Sequence, residues 1–150
     1  MPRVMIVEDD LTILSNLSQL LQLSGLDVIE AHDGRMALDL LSVALDSDQG
    51  SLPRMIVSDL MMPKMDGFEL LNAVRATPGL NALPFVLLSA RSDASDLQRA
   101  FFLGASDYLV KPFEVDQLID VIRYQMSRVS DPEGGGPGND VKANPDFFLE

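Results

Sequence analysis

Five side chains, Glu8, Asp9, Asp59, Ser89 and Lys111, stand where short apolar runs of this chain end. Carboxylates that cluster repel one another and raise one another's pKa unless a positive charge compensates. A hard dication such as Mg²⁺ does so through oxygen ligands, keeps several of its waters and needs only one or two carboxylates. Lys111 adds a compact cation suited to an anionic oxygen. Ser89 adds a hydroxyl donor. Acids that hold a metal, beside a lysine and a hydroxyl, describe a site for a phosphoryl group, with one carboxylate free to attack phosphorus. The stretch MIVSDLMMPKMDG, residues 55–67, singles out Asp59, because a buried apolar strand finishes there on one carboxylate and then turns through Asp66-Gly67.

Groups so distant in sequence meet only if a scaffold gathers strand ends. Short apolar runs at Val4–Val7, Leu26–Glu30, Met55–Ser58, Phe85–Leu88 and Asp107–Val110 read as strands buried on both faces. Segments of helical period lie between them. Leu11, Leu14, Leu17, Leu20 and Leu21 mark the first, stopped by Gly25. Met36, Leu38, Leu40 and Leu41 follow Asp33-Gly34, and Phe68, Leu70, Leu71 and Val74 run to Thr77-Pro78-Gly79. Leu97, Phe101 and Phe102 precede Gly104, and Val115, Leu118, Ile119, Ile122 and Met126 form the clearest stripe. Alternating strands and helices predict an α/β parallel sheet covered on both faces, with ligands at the carboxyl ends of its strands. Spacing does not choose the strand order. Asp46–Arg54 reads as an unusually long polar loop. After Arg128 the Gly/Pro-rich SDPEGGGPGND reads as a linker. The final VKANPDFFLE reads as a junction toward an absent segment or as a docking tail. The expected division is therefore 1–128 and 129–150.

Composition narrows the function. The apolar fraction of 47% suits a globular core. No window is long and apolar enough for a membrane span, and no secretory signal opens the chain. Without cysteine there are no disulfides or thiolate metal sites, which agrees with a cytoplasmic location. With 11 Lys+Arg against 23 Asp+Glu, a net charge of −12 argues against direct nucleic-acid binding by this chain.

VEDD near the start, DLMMPKMDG in the middle, LLSA on the fourth strand and DYLVKPF on the fifth resemble, in order and spacing, a response-regulator receiver domain of two-component signalling, over about residues 3–128. The resemblance implies a flavodoxin-like doubly wound (βα)5 fold with a five-stranded parallel sheet in the order 2-1-3-4-5. It makes Asp59 the phosphoacceptor, which takes a phosphoryl group from a phosphohistidine of a sensor histidine kinase or histidine phosphotransfer protein. It assigns Mg²⁺ to Asp9 and Asp59 directly, to the Met61 backbone carbonyl, and to Glu8 through water. Ser89 matches the switch hydroxyl, Lys111 the lysine on the phosphoryl oxygens, and Tyr108 the aromatic switch whose ring turns inward when Ser89 moves. A cis Lys111-Pro112 bond is also implied. The function implied is a phosphorylation switch rather than an enzyme, with at most self-phosphorylation from small donors and autodephosphorylation. The switch would act through the face of the fourth helix, fifth strand and fifth helix, controlling homodimerisation, an output domain or a partner.

Plainer roles compete at several positions. Asp10 reads as the N-cap of the first helix rather than a third ligand. Asp66-Gly67 reads as turn and cap chemistry, and His32 as a solvated loop residue. Asp93 and Asp96 suit the first turn of the fourth helix through its dipole. Arg91 and Met61, each two residues past a site residue, are placed to tune water access. Phe101 and Phe102 read as core and interface. A Mg²⁺-dependent phosphatase with an aspartyl intermediate is the alternative function, but it usually wants an acid where Met61 stands. A flavin protein of this architecture would carry a Ser/Thr/Gly-rich phosphate loop where VEDDLT offers acids.

Overall fold

The computed structural model describes residues 3–47 and 51–130. Strands and helices alternate as β1 (Arg3–Val7), α1 (Leu11–Leu23), β2 (Asp27–Ala31), α2 (Gly34–Ser47), β3 (Met55–Asp59), α3 (Gly67–Ala76), β4 (Phe85–Ser89), α4 (Ala94–Phe102), β5 (Asp107–Val110) and α5 (Val115–Ser130). The apolar runs are continuous because both sheet faces are covered. Met5, Val7, Ile56, Phe85 and Leu87 point to one face, where Ala37, Leu41, Phe68, Leu71, Val74 and Ala100 of α2, α3 and α4 meet them. Val4, Ile6, Met55, Val57, Val86 and Leu88 point to the other, against Leu14, Leu17 and Leu21 of α1 and Leu118, Ile122 and Met126 of α5.

All strand pairs are parallel, in the order β2-β1-β3-β4-β5. This settles what spacing left open and gives the flavodoxin-like arrangement. β1 lies between β2 and β3, so the direction of winding reverses beside it and a crevice opens at the carboxyl ends of β1 and β3. Register levels those ends. Val7 pairs with Ser58, Asp59 with Leu88, and Ser89 with Val110. Glu8 and Asp9 therefore leave the sheet next to Asp59, and Lys111 leaves it next to Ser89.

β2 starts at Asp27 rather than Leu26, for a reason set by the end of α1. Gly25, at φ +94°, turns the chain. Gly25 N–H then donates to the Gln22 carbonyl at 3.0 Å, and Leu26 N–H to the Leu21 carbonyl at 3.1 Å. This is a Schellman cap, and the buried Leu21 and Leu26 supply its usual apolar contact. Leu26 spends its amide on the helix, so pairing with β1 begins at Asp27. α2 reaches Ser47, which shortens the loop expected from Asp46; residues 48–50 lie outside the described ones. α5 runs to Ser130, past the composition change at Arg128, and the stretch read as linker and tail lies outside the described residues from 131 onward. Among the described residues, no helix is long and apolar enough to cross a membrane.

Candidate functional site

Glu8, Asp9 and Asp59 each bring a carboxylate oxygen within 4.8 Å of the others. Glu8 and Asp59 are buried, at 3% and 7% exposure, and Asp9 is open to solvent. Lys111 Nζ reaches across from the end of β5 to lie 2.7 Å from Asp59 Oδ1 and 3.7 Å from Glu8 Oε1. Glu8 Oε2 accepts the Asp10 amide at 3.0 Å, whereas Glu8 Oε1 is buried without a hydrogen-bond donor among the described residues. The Lys111-Pro112 peptide bond is cis.

The electrostatics follow from three acids sharing one lysine. Burial pushes the Glu8 carboxyl up to about 7, and the Asp59 charge adds to that push against the Asp10 amide and Lys111. Burial likewise raises Asp59, with the Lys111 hydrogen bond and charge offsetting part of the rise. Burial alone would lower Lys111, but the Asp59 hydrogen bond and the charges of Asp59, Glu8 and Asp9 outweigh it and hold the ammonium above its ordinary value. The cluster is thus short of positive charge, and one buried oxygen lacks a donor. An all-oxygen donor set with those two deficits suits a hard divalent cation.

The loop after Asp59 is shaped by contacts rather than by chemistry. Leu60 N–H donates to the Leu88 carbonyl at 2.8 Å, and Gly67 N–H returns to the Leu60 carbonyl at 2.8 Å. A Cβ on Gly67 would stand 2.7 Å from the Asp59 carbonyl oxygen and 2.7 Å from Leu87 Cδ2, so only glycine lets α3 start this close to Asp59. Asp66 caps α3 in a capping box with Glu69. Within the loop, Lys64 has φ +71°, and Met65 N–H donates to the Pro63 carbonyl at 2.7 Å. Such a three-residue turn is uncommon for a residue with a side chain, costs about 1–3 kcal/mol, and is the kind of strain found beside functional sites.

On the other flank, Ser89 is buried and its Oγ accepts the Arg91 amide at 3.0 Å. Tyr108 is also buried, with its ring packed in the core beneath α4 and its hydroxyl donating to the Arg91 carbonyl at 2.7 Å. The aromatic side chain thus already sits inward. Met61 is 56% exposed and faces the guanidinium of Arg91, with Nη1 3.7 Å from Sδ, while Met62 is buried in the core.

Residues 4–123 match the family described as response regulator receiver domain. The chain belongs to that family. This receiver is 38% identical over 128 residues to the transcriptional regulatory protein CpxR of Escherichia coli K12, covering 85% of this chain and 50% of the relative. It is 36% identical over 134 residues to the response regulator MprA of Mycolicibacterium vanbaalenii, covering 89% of this chain and 54% of the relative. The chain therefore spans about half the length of the curated relatives it matches. Among solved structures it is similar to the chemotaxis protein CheY4 of Vibrio cholerae, with TM-score 0.73 and 33% identity over 83% of this chain and 98% of that one.

The receiver fold brings together Glu8, Asp9, Asp59 and Lys111, and it sets Ser89 at the end of β4 and Tyr108 within β5, paired with Leu87. Asp10 caps α1 by accepting the Thr12 and Ile13 amides at 3.0 and 3.1 Å. His32 stays at the surface beside Asp33, at 3.2 Å. Phe102 points outward at 89% exposure, while Phe101 packs against the core. Asp96 stands in the first turn of α4, as its sequence position suggested, but that reading said nothing of its surroundings. It is 7% exposed and lies 2.9 Å from Arg91 Nε. The only signal for this was its place on α4, four residues before the buried Ala100.

Proposed function

We propose that this receiver is a Mg²⁺-dependent phosphoacceptor switch, with Asp59 as the acceptor. The observation that carries the reading is the convergence of Lys111 Nζ on Asp59 Oδ1 at 2.7 Å beside two further carboxylates. An Asp59 oxygen attacks the phosphorus of a phosphohistidine on a sensor histidine kinase or phosphotransfer protein. The new O–P bond forms as the P–N bond breaks, and the imidazole departs as a neutral ring after protonation. Lys111 moves from the carboxylate to the phosphoryl oxygens that take its place, and Ser89 donates its hydroxyl to another. Mg²⁺, when bound by Asp9, Asp59, the Met61 carbonyl and Glu8 through water, supplies the charge neutralisation that three acids and one lysine lack. Met61, where a phosphatase would carry an acid, offers no proton for ester hydrolysis, which favours a switch over turnover.

Phosphorylation biases an equilibrium that exists before it. The inward Tyr108 is compatible with the switched arrangement, and α4, β5 and α5 form the face that would report it. An output domain following α5, or a homodimer through that face, is consistent with a chain that spans half of relatives such as CpxR. Labelling with radioactive acetyl phosphate tests the acceptor. Wild type with Mg²⁺ should take up label that hydroxylamine removes, and Asp59→Asn should take up none. Equal labelling of Asp59→Asn would refute the assignment. Sedimentation with and without beryllofluoride and Mg²⁺ tests the dimer.

A further inference from the structure

Arg91 touches four parts of the receiver at once. Its amide donates to Ser89 Oγ at the end of β4, and its carbonyl accepts the Tyr108 hydroxyl from β5. Its guanidinium places Nε 2.9 Å from Asp96 Oδ2 on α4, and Nη1 3.7 Å from Met61 Sδ in the loop after β3.

The Asp96 end of this bridge is poorly matched. Asp96 is 7% exposed, yet its Oδ2 has no hydrogen-bond donor among the described residues. The guanidinium is close enough to pair by charge but is not aligned to donate. Asp93, at the N-cap of α4, adds no side-chain cap bond. The first turn of α4 therefore leans on an ion pair that satisfies charge and leaves a lone pair unmet, which is costly in a buried setting. A guanidinium fork fits phosphate oxygens far better than this geometry fits one carboxylate oxygen.

A better anionic partner would arise within reach. Asp59 pairs in register with Leu88, so Ser89 and Asp59 stand on adjacent strand ends about 5 Å apart. The Arg91 side chain already crosses from the β4 side to Met61, two residues past Asp59.

We infer that Arg91 is a further phosphoryl-contacting residue whose resting partner is Asp96: it pairs with Asp96 while Asp59 is bare and transfers to the phosphoryl oxygens once Asp59 carries them. The inference rests on the acceptor reading above. It makes Asp96 a competitor of the phosphoryl group, so each phosphorylation leaves a buried acid at the start of α4 without its cation. That couples the site to α4 through one side chain.

Titration of the full chain with beryllofluoride in Mg²⁺, by calorimetry and by the NMR signal of Arg91 Nε–H, tests it. Asp96→Asn should tighten binding about five- to tenfold, since the competitor is gone, and Arg91→Ala should weaken it by a similar factor. In the Arg91→Ala/Asp96→Asn pair the gain should vanish. Asp96→Asn affinity equal to wild type, or a gain that persists without Arg91, would overturn the exchange. If Asp96→Asn does not fold, wild type decides: the Arg91 Nε–H signal must shift on binding, and an unmoved signal overturns the inference. A wild-type chain that binds no beryllofluoride and takes no label sinks the acceptor reading instead.

Discussion

Lys111 Nζ lies 2.7 Å from Asp59 Oδ1, although the two residues are 52 positions apart in sequence and stand at the ends of β3 and β5, strands that are not neighbours. The contact spans the end of β4, and among the described residues Lys111 is the one cation paired directly with the acid cluster. Replacing Lys111 by Met keeps the stem and removes the charge, which leaves a buried carboxylate unpaired. Lys111→Met should lose about 1–3 kcal/mol at pH 7, less than a fully buried pair because the lysine side chain is 30% exposed. Its initial rate of labelling by acetyl phosphate should fall at least about tenfold. Urea unfolding and a labelling time course measure the two, and an unchanged rate would remove Lys111 from the chemistry.

Asp59 itself is held above the usual carboxylate range, first by burial and then by the Asp9 charge. The ionised form is therefore a cost to the fold when no cation is bound. Asp59→Asn should unfold at a higher temperature than wild type in EDTA. Added Mg²⁺ should reverse the ranking of gains: at ten times its Kd it stabilises wild type by about 1.4 kcal/mol, and Asp59→Asn by less. Thermal melts in EDTA and in Mg²⁺ read both effects. Equal Mg²⁺ increments in the two proteins would mean that Asp59 is not a ligand.

Gly67 separates Asp59 from α3 by the absence of a side chain. With Leu60 Cα also only 2.9 Å from an added Cβ, Gly67→Ala meets backbone on two sides and cannot be relieved by one rotamer change. The variant should lose about 2–4 kcal/mol, at or beyond the upper end of ordinary overpacking, and should label more slowly because the Asp59 backbone must shift. Chemical denaturation together with labelling checks this. A stable variant with slow labelling would show that the shift, rather than unfolding, does the damage.

The acids, the lysine and the strand ends that carry them were legible because they rest on residue type and on short continuous apolar runs that alternate with segments of period 3.6. Strand order was legible only through family resemblance, since nothing in the spacing distinguishes one right-handed winding from another. The start of β2 was misread because Leu26 is apolar like a strand residue, yet its amide belongs to the cap of α1. Asp96 was placed correctly in the first turn of α4, but its burial was not legible. An acid in a first helical turn is favoured by the dipole whether it faces water or protein, and only the position of Arg91 tells which. The tightness around Gly67 was equally hidden, because Asp-Gly signals a turn wherever it occurs and says nothing about what packs against it.

Asp107 offers a test of burial that is independent of the cluster around Asp59. It opens β5 opposite Val86, is 3% exposed, and accepts the Tyr108 amide at 2.7 Å on Oδ1. Burial pushes its carboxyl up to about 6, against the pull of that amide. In the unfolded chain the group titrates near 4, so between about pH 4 and pH 6 the native state holds more protons than the unfolded one. The contribution of Asp107 is therefore most favourable below about pH 4, declines as pH rises through 6, and is flat above. The full swing is on the order of 3 kcal/mol. Asp107→Asn keeps the acceptor for Tyr108 and cannot ionise. Its stability relative to wild type should thus rise between pH 4 and pH 7, and subtracting the two urea-unfolding profiles isolates this residue from Glu8, which titrates nearby. A difference that stays constant across that range would mean that the Asp107 carboxylate is solvated or paired in the native protein.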